Sequence, residues 1–197
     1  MAVKKKTSPA TSKKPRADAE RNRNRLIEVA KAAFADIGAE VSLEEIARIA
    51  GVGIGTLYRH FPTRDAMVEA VYRREVHQLA QAATQFLESQ PPVEALRAWM
   101  RLFIDYMATK RIIAPALTSL TGGTTELFAA SGVLLKSAMA SLVDRAVAAG
   151  EIRRDVDSID LLYALAGFAN VNNGPGWERS ARRLIDILIA GLRREDA

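Results

Sequence analysis

The stretch from Ser42 to Arg64 gathers hydroxyls (Ser42, Thr56, Tyr58), guanidinium forks (Arg59, Arg64) and three glycines (Gly51, Gly53, Gly55). Hydroxyls and guanidiniums donate hydrogen bonds to phosphate oxygens and base edges. Glycines at a helix start let backbone N–H groups come close to phosphate, although Gly55 inside the first turn costs ~1 kcal/mol relative to Ala. No comparable set suits catalysis. The chain has no cysteine and two histidines, His60 and His77, neither of them in a nucleophile or metal motif. The spacing Gly51-x-Gly53-x-Gly55 superficially suggests a dinucleotide loop, but that fingerprint must follow a strand and here it follows a capped helix. The expectation is a protein that is not an enzyme, with no cofactor and no metal.

Charge is placed unevenly. Residues 1–64 hold 13 Lys/Arg against 7 Asp/Glu, whereas the remainder holds 15 against 16. A basic N-terminal third fits a phosphate-binding face, since each neutralised phosphate releases condensed counterions; a merely solvated basic surface fits equally well on charge alone. No continuous apolar run approaches the ~18 residues of a membrane span, and the Lys-rich start lacks the apolar stretch of a signal peptide, so the expectation is a cytoplasmic protein without membrane contact.

The elements that must hold these residues read as helices. Residues 1–20 offer nothing apolar to bury and are expected as a disordered basic arm. From Arg21, Leu26, Ala30, Ala33 and Ile37 share one face, with Gly38 as a stop. Ser42 and Glu45 make a capping box for the next helix, Val41 and Ile46 a hydrophobic staple, and Gly51 ends it. A short third helix carries Leu57, Tyr58 and Phe61, and Thr63 after Pro62 caps a fourth running to about Glu88. Further helices are expected at Val93–Lys110, Ala114–Leu120, Thr124–Ala149, Ser158–Asn172 and Trp177–Arg194. No period-two strand or internal repeat appears. The fold class is all-α, with residues 21–66 a helix-turn-helix domain and 67–197 a second helical domain.

The run from Val41 to Phe61, VSLEEIARIAGVGIGTLYRHF, resembles the DNA-binding signature of the TetR family. One position departs from it: Gly53 stands where the family usually carries Ser, Thr or an acid. The resemblance implies Ser42 and Tyr58 on phosphates, Ile54, Thr56 and Arg59 towards base edges, His60 at the groove edge and Arg64 on the DNA backbone. Gly53 and Gly55 would bring the backbone close. Val52, Leu57 and Phe61 are core. The implied activity is transcriptional regulation, as a repressor released from a palindromic operator by a small-molecule effector. A nonspecific DNA-coating protein is the rival, but it leaves the near-neutral C-terminal region without a purpose.

In that region Trp99, Met100, Phe103, Tyr106 and Met107 form one helical stripe, which reads first as plain core. The resemblance implies a ligand pocket there, with Phe128 and Phe168 as further walls and Thr118, Asn170 or Asp105 as polar groups able to orient a ligand. On the last two helices, Leu161 and Leu165, and Leu184, Leu188 and Leu192, follow helical spacing. They suit a four-helix homodimer contact of the TetR kind, or an intrachain core.

Overall fold

The computed structural model describes residues 14–120, 122–171 and 174–194. Among the described residues there are eight helices: α1 (Lys14–Asp36), α2 (Leu43–Ala50), α3 (Ile54–His60), α4 (Arg64–Ser89), α5 (Pro92–Thr118), α6 (Thr125–Ala148), α7 (Ser158–Val171) and α8 (Trp177–Leu192). Among the described residues the only β-type pairing is an isolated antiparallel bridge between Ile152 and Arg193.

Local signals account for most boundaries. Ser42 Oγ accepts from the Glu45 N–H at 3.1 Å, and Thr63 Oγ1 accepts from the Ala66 N–H at 3.1 Å. Each hydroxyl satisfies one of the amides that a helix start leaves without a partner. The capping box at α2 is only half formed, because the Glu45 carboxylate turns outward to Arg48. Gly51 closes α2 in the left-handed conformation (φ 66°, ψ 35°), which an L side chain would strain.

Three expectations are corrected. Residues 14–20 of the expected arm are helical: α1 starts at Lys14 because this polar stretch has helix-forming residues even without an apolar face, and Pro15 falls in the first turn, where its missing N–H costs nothing. Residues 1–13 lie outside the described residues. Ile37 is 58% exposed and sits beyond the end of α1, not on its buried face. The separate helix at Ala114–Leu120 does not exist, since α5 continues through Pro115 to Thr118. Thr118 and Ser119 hydroxyls donate to the Pro115 carbonyl at 2.9 and 3.0 Å, closing that end.

Although no unbroken apolar run of membrane-spanning length exists, α6 is apolar on average. It is long and apolar enough to cross a membrane by length and composition alone, with a window of mean hydropathy 1.4. Ala, Leu and Val dominate the helix between its charged residues Glu126, Lys136, Asp144 and Arg145. In the structure it packs against α4, α5 and α7.

Two layers result. α1, α2 and α3 pack around Leu26, Ala30, Phe34, Ile46, Leu57 and Phe61, all essentially inaccessible to solvent. The long α4 leaves this unit and runs into the second core, against α5 and α6. There Trp99 Nε1 donates to the Leu79 carbonyl at 2.8 Å. A column of rings follows, Trp99–Phe103–Tyr106–Tyr72–Phe128, with centroids 5.7, 5.6, 6.3 and 5.5 Å apart. Polar ties join α1 to α4: Lys31 pairs with the buried Glu75 at 2.7 Å, and Arg74 pairs with Glu28 and donates to Asn24. On the far side, Asp186 of α8 accepts from Arg97 and Arg101 of α5, each at 2.9 Å.

Candidate nucleic-acid interface

The turn Gly51–Val52–Gly53 sets α3 across α2. Gly53 is the N-cap of α3, extended and without a side-chain hydrogen bond, so the first amides of α3 are left to solvent or to a ligand. Leu57 and Phe61 are buried and Val52 is half-buried against the same core, which fixes the helix by its inner face. The outer face is free. Ser42, Gly53, Gly55 and Arg59 are exposed, Ile54 and Tyr58 are 39% and 41% exposed, and Thr56 and His60 are half-buried. Eight of the nine residues that the sequence assigns to DNA thus lie on α3, at its cap or at the start of α2, all of them exposed or half-buried.

Arg64 is the exception. Its guanidinium donates to the Val41 carbonyl at the start of α2 and lies 6.0 Å from the Phe34 ring centroid. Its Nη2 is buried without a hydrogen-bond partner. In this geometry Arg64 pins the start of α4 to the α1–α2 corner instead of pointing at DNA. The Val41 carbonyl lies 23 positions away in the chain, so no local sequence signal marks it as the acceptor.

Two carboxylates on α2 differ in what neutralises them. Glu45 takes two hydrogen bonds from Arg48, at 2.8 and 2.6 Å, and this pairing holds its carboxyl below the usual range. Glu44 accepts instead from the Tyr58 hydroxyl at 2.9 Å. Its own backbone N–H, then that hydroxyl, hold its carboxyl low, while the Tyr58 phenol is pushed up chiefly by the same bond. Two arginines of α1 border the face and carried no motif signal: Arg23 lies 5.2 Å from the Phe61 ring centroid, and Arg25 reaches the Gly51 turn.

The C-terminal candidates are placed differently. Trp99, Met100, Phe103, Tyr106 and Met107 are buried core, Phe128 and Phe168 half-buried, and Asn170 exposed, which removes Asn170 from any enclosed wall. The four clefts described are lined by other residues; one of ≈ 250 Å³ lies between α1 and α5, bordered by Phe34, Ala35, Ile112 and Ile113. Leu161, Leu165 and Leu192 are buried inside the protomer and Leu188 is half-buried against its core, which is the intrachain alternative that their spacing left open. Among the described residues, the exposed large apolar side chains of α7 and α8 are Ile159, Tyr163, Leu184 and Ile187.

Comparison with known proteins agrees with this architecture. Residues 26–71 match the family model described as bacterial regulatory proteins, tetR family, and residues 91–194 match the C-terminal domain of SbtR-like transcriptional regulators. The TetR transcriptional regulator SCO0520 from Streptomyces coelicolor is 45% identical with a TM-score of 0.79, covering 88% of this chain and 99% of that one. A TetR regulatory protein from Mycobacterium vanbaalenii is 35% identical with a TM-score of 0.76, over 91% and 99% of the two chains. The HTH-type transcriptional regulator SAB2452 of Staphylococcus aureus is 33% identical over 49% of this chain and 51% of its own length, so the match spans about half of such curated relatives. A family model covering more than half of the chain, together with near-complete structural relatives, establishes that this chain belongs to the TetR family of helix-turn-helix transcriptional regulators, a DNA-binding and non-enzymatic family.

Proposed function

We propose that the chain works in the cytoplasm as a homodimeric repressor, which holds a palindromic operator through α3 of each protomer and lets go when a small molecule occupies the C-terminal domain. The observation that carries the DNA-binding part is the outer face of α3, where Ile54, Thr56, Tyr58 and Arg59 stand on a helix clamped from behind by Leu57 and Phe61. Thr56 and Arg59 can hydrogen-bond base edges, and Ile54 can read a thymine methyl. Ser42 and the free amides after Gly53 suit phosphates.

A dimer is supported by Ile159, Tyr163, Leu184 and Ile187, an apolar set that water would otherwise face. Two protomers joined there would present two recognition helices to successive major grooves, ~34 Å apart. An effector among Trp99, Phe103, Tyr106 and Phe128 has to part a closed column of rings. Its binding therefore selects a different packing of α4, and with it a different separation of the two α3 helices. Sequencing of DNA fragments retained by the purified protein tests the reading. A two-fold symmetric motif is expected; retention of random fragments with no shared motif would leave only nonspecific coating.

A further inference from the structure

A tyrosine hydroxyl has one proton to donate. Tyr58, in the last turn of α3, donates it to Glu44, in the first turn of α2. Both residues are exposed on the surface that carries Ile54 and Arg59. Among the described residues no Lys or Arg pairs with Glu44, in contrast to its neighbour Glu45, which Arg48 neutralises. Glu44 is therefore an unpaired anion within a face otherwise suited to phosphate. A phosphate that takes the Tyr58 proton strips Glu44 of that donor, leaving it the backbone N–H and the Ser42 hydroxyl, and brings a second anion alongside it.

We infer that Glu44 limits affinity at the DNA-binding face: its carboxylate competes with the DNA backbone for the Tyr58 hydroxyl and is left facing a phosphate whenever Tyr58 makes that contact. This rests on the DNA-binding reading above. Like charges ~4 Å apart in water oppose each other enough for roughly a fivefold loss of affinity per half-site. Because phosphates are present at every sequence, the loss applies to operator and random DNA alike. Its effect is to shorten residence everywhere and to keep release within reach of a modest signal.

The test titrates the full-length protein with the selected operator duplex and a scrambled duplex over a range of salt, by fluorescence anisotropy. Glu44→Gln, Glu44→Ser, Tyr58→Phe and the Glu44→Gln/Tyr58→Phe double variant are compared with the parent, each first matched to it in helical content. Asp144→Asn, on the exposed side of α6, controls for net charge alone. The expected result is that Glu44→Gln and Glu44→Ser bind both duplexes at least about fivefold more tightly, that Asp144→Asn equals the parent, and that Tyr58→Phe costs more affinity in the Glu44→Gln background than in the parent. Glu44 variants that bind no better than the parent would show that Glu44 orients Tyr58 productively, which overturns the inference. So would an equal gain from Asp144→Asn. A parent that binds neither duplex removes the DNA-binding reading itself, and the inference with it, before any variant is compared.

Discussion

Replacing Arg64 with alanine separates two accounts of that residue. As a phosphate contact, its loss lowers the slope of log affinity against log salt by ~1 and leaves folding alone. The structure points the other way. The side chain donates to the Val41 carbonyl and covers the Phe34 ring. Removing it leaves a part-buried carbonyl short of a donor, at ~1–3 kcal/mol, and loses a cation–π contact of ~0.5–1 kcal/mol. Relief of the buried, unpartnered Nη2 offsets part of this. A net destabilisation of about 1–2 kcal/mol follows, or about 2–8 °C in Tm for a chain of this size. Thermal unfolding at fixed protomer concentration, since assembly couples to stability, gives the first reading, and salt-dependent DNA titration the second. An unchanged Tm with a slope lower by ~1 would refute the pinning geometry.

Other outcomes are equally concrete. Arg59→Ala and Thr56→Ala should each alter the sequence selected from a random DNA pool, by ~1–3 kcal/mol of discrimination at the affected position; an identical selected motif contradicts the groove orientation. Ile187→Glu, at a side chain 66% exposed in the protomer, should leave helical content intact yet yield monomers by light scattering, and a folded dimer would move the contact elsewhere. Phe103→Ala should cost ~3–5 kcal/mol in chemical unfolding, as expected for a ring within the closed column, and a loss below 1 kcal/mol would argue for an open pocket there. Lys110 sits 4.7 Å from the Phe128 centroid, and burial pushes its ammonium below the usual lysine range. A group depressed in the folded state binds fewer protons there than when unfolded, so its charge opposes folding at neutral pH and the penalty fades as pH rises towards ordinary lysine values. Lys110→Met should therefore raise Tm at pH 7 and raise it less near pH 10; the reverse order would reject burial as the cause.

The DNA-binding half was legible because its signals are local. A hydroxyl three residues before the amide it caps, a glycine that must turn left, and apolar residues at helical spacing are all written within a few positions of where they act. The parts that were misread or left open depend on partners far along the chain. Arg64 was assigned to DNA because nothing near it in sequence identifies the Val41 carbonyl as its acceptor. Leu161, Leu165 and Leu192 have the right period for an interface, but the period gives one face per helix and not which neighbour covers it. Tyr58 was recognised as a donor, whereas its acceptor Glu44 lies on another helix and has no motif of its own.

The unbroken course of α4 has a mechanical consequence. Its ion pairs to α1, through Arg74 and Glu75, lie ten and eleven positions from its first residue, a lever arm of ~16 Å at 1.5 Å per residue. A tilt of ~10° of α4 at that level, with the α1–α3 unit carried along by the Arg64, Arg74 and Glu75 ties, swings the Arg64 end by ~3 Å, close to the ~3.4 Å axial rise per phosphate of one DNA strand. A small rotation set deep in the second core is thus enough to carry a helix-turn-helix out of register by about one nucleotide, with no helix broken and no side chain of the reading head disturbed.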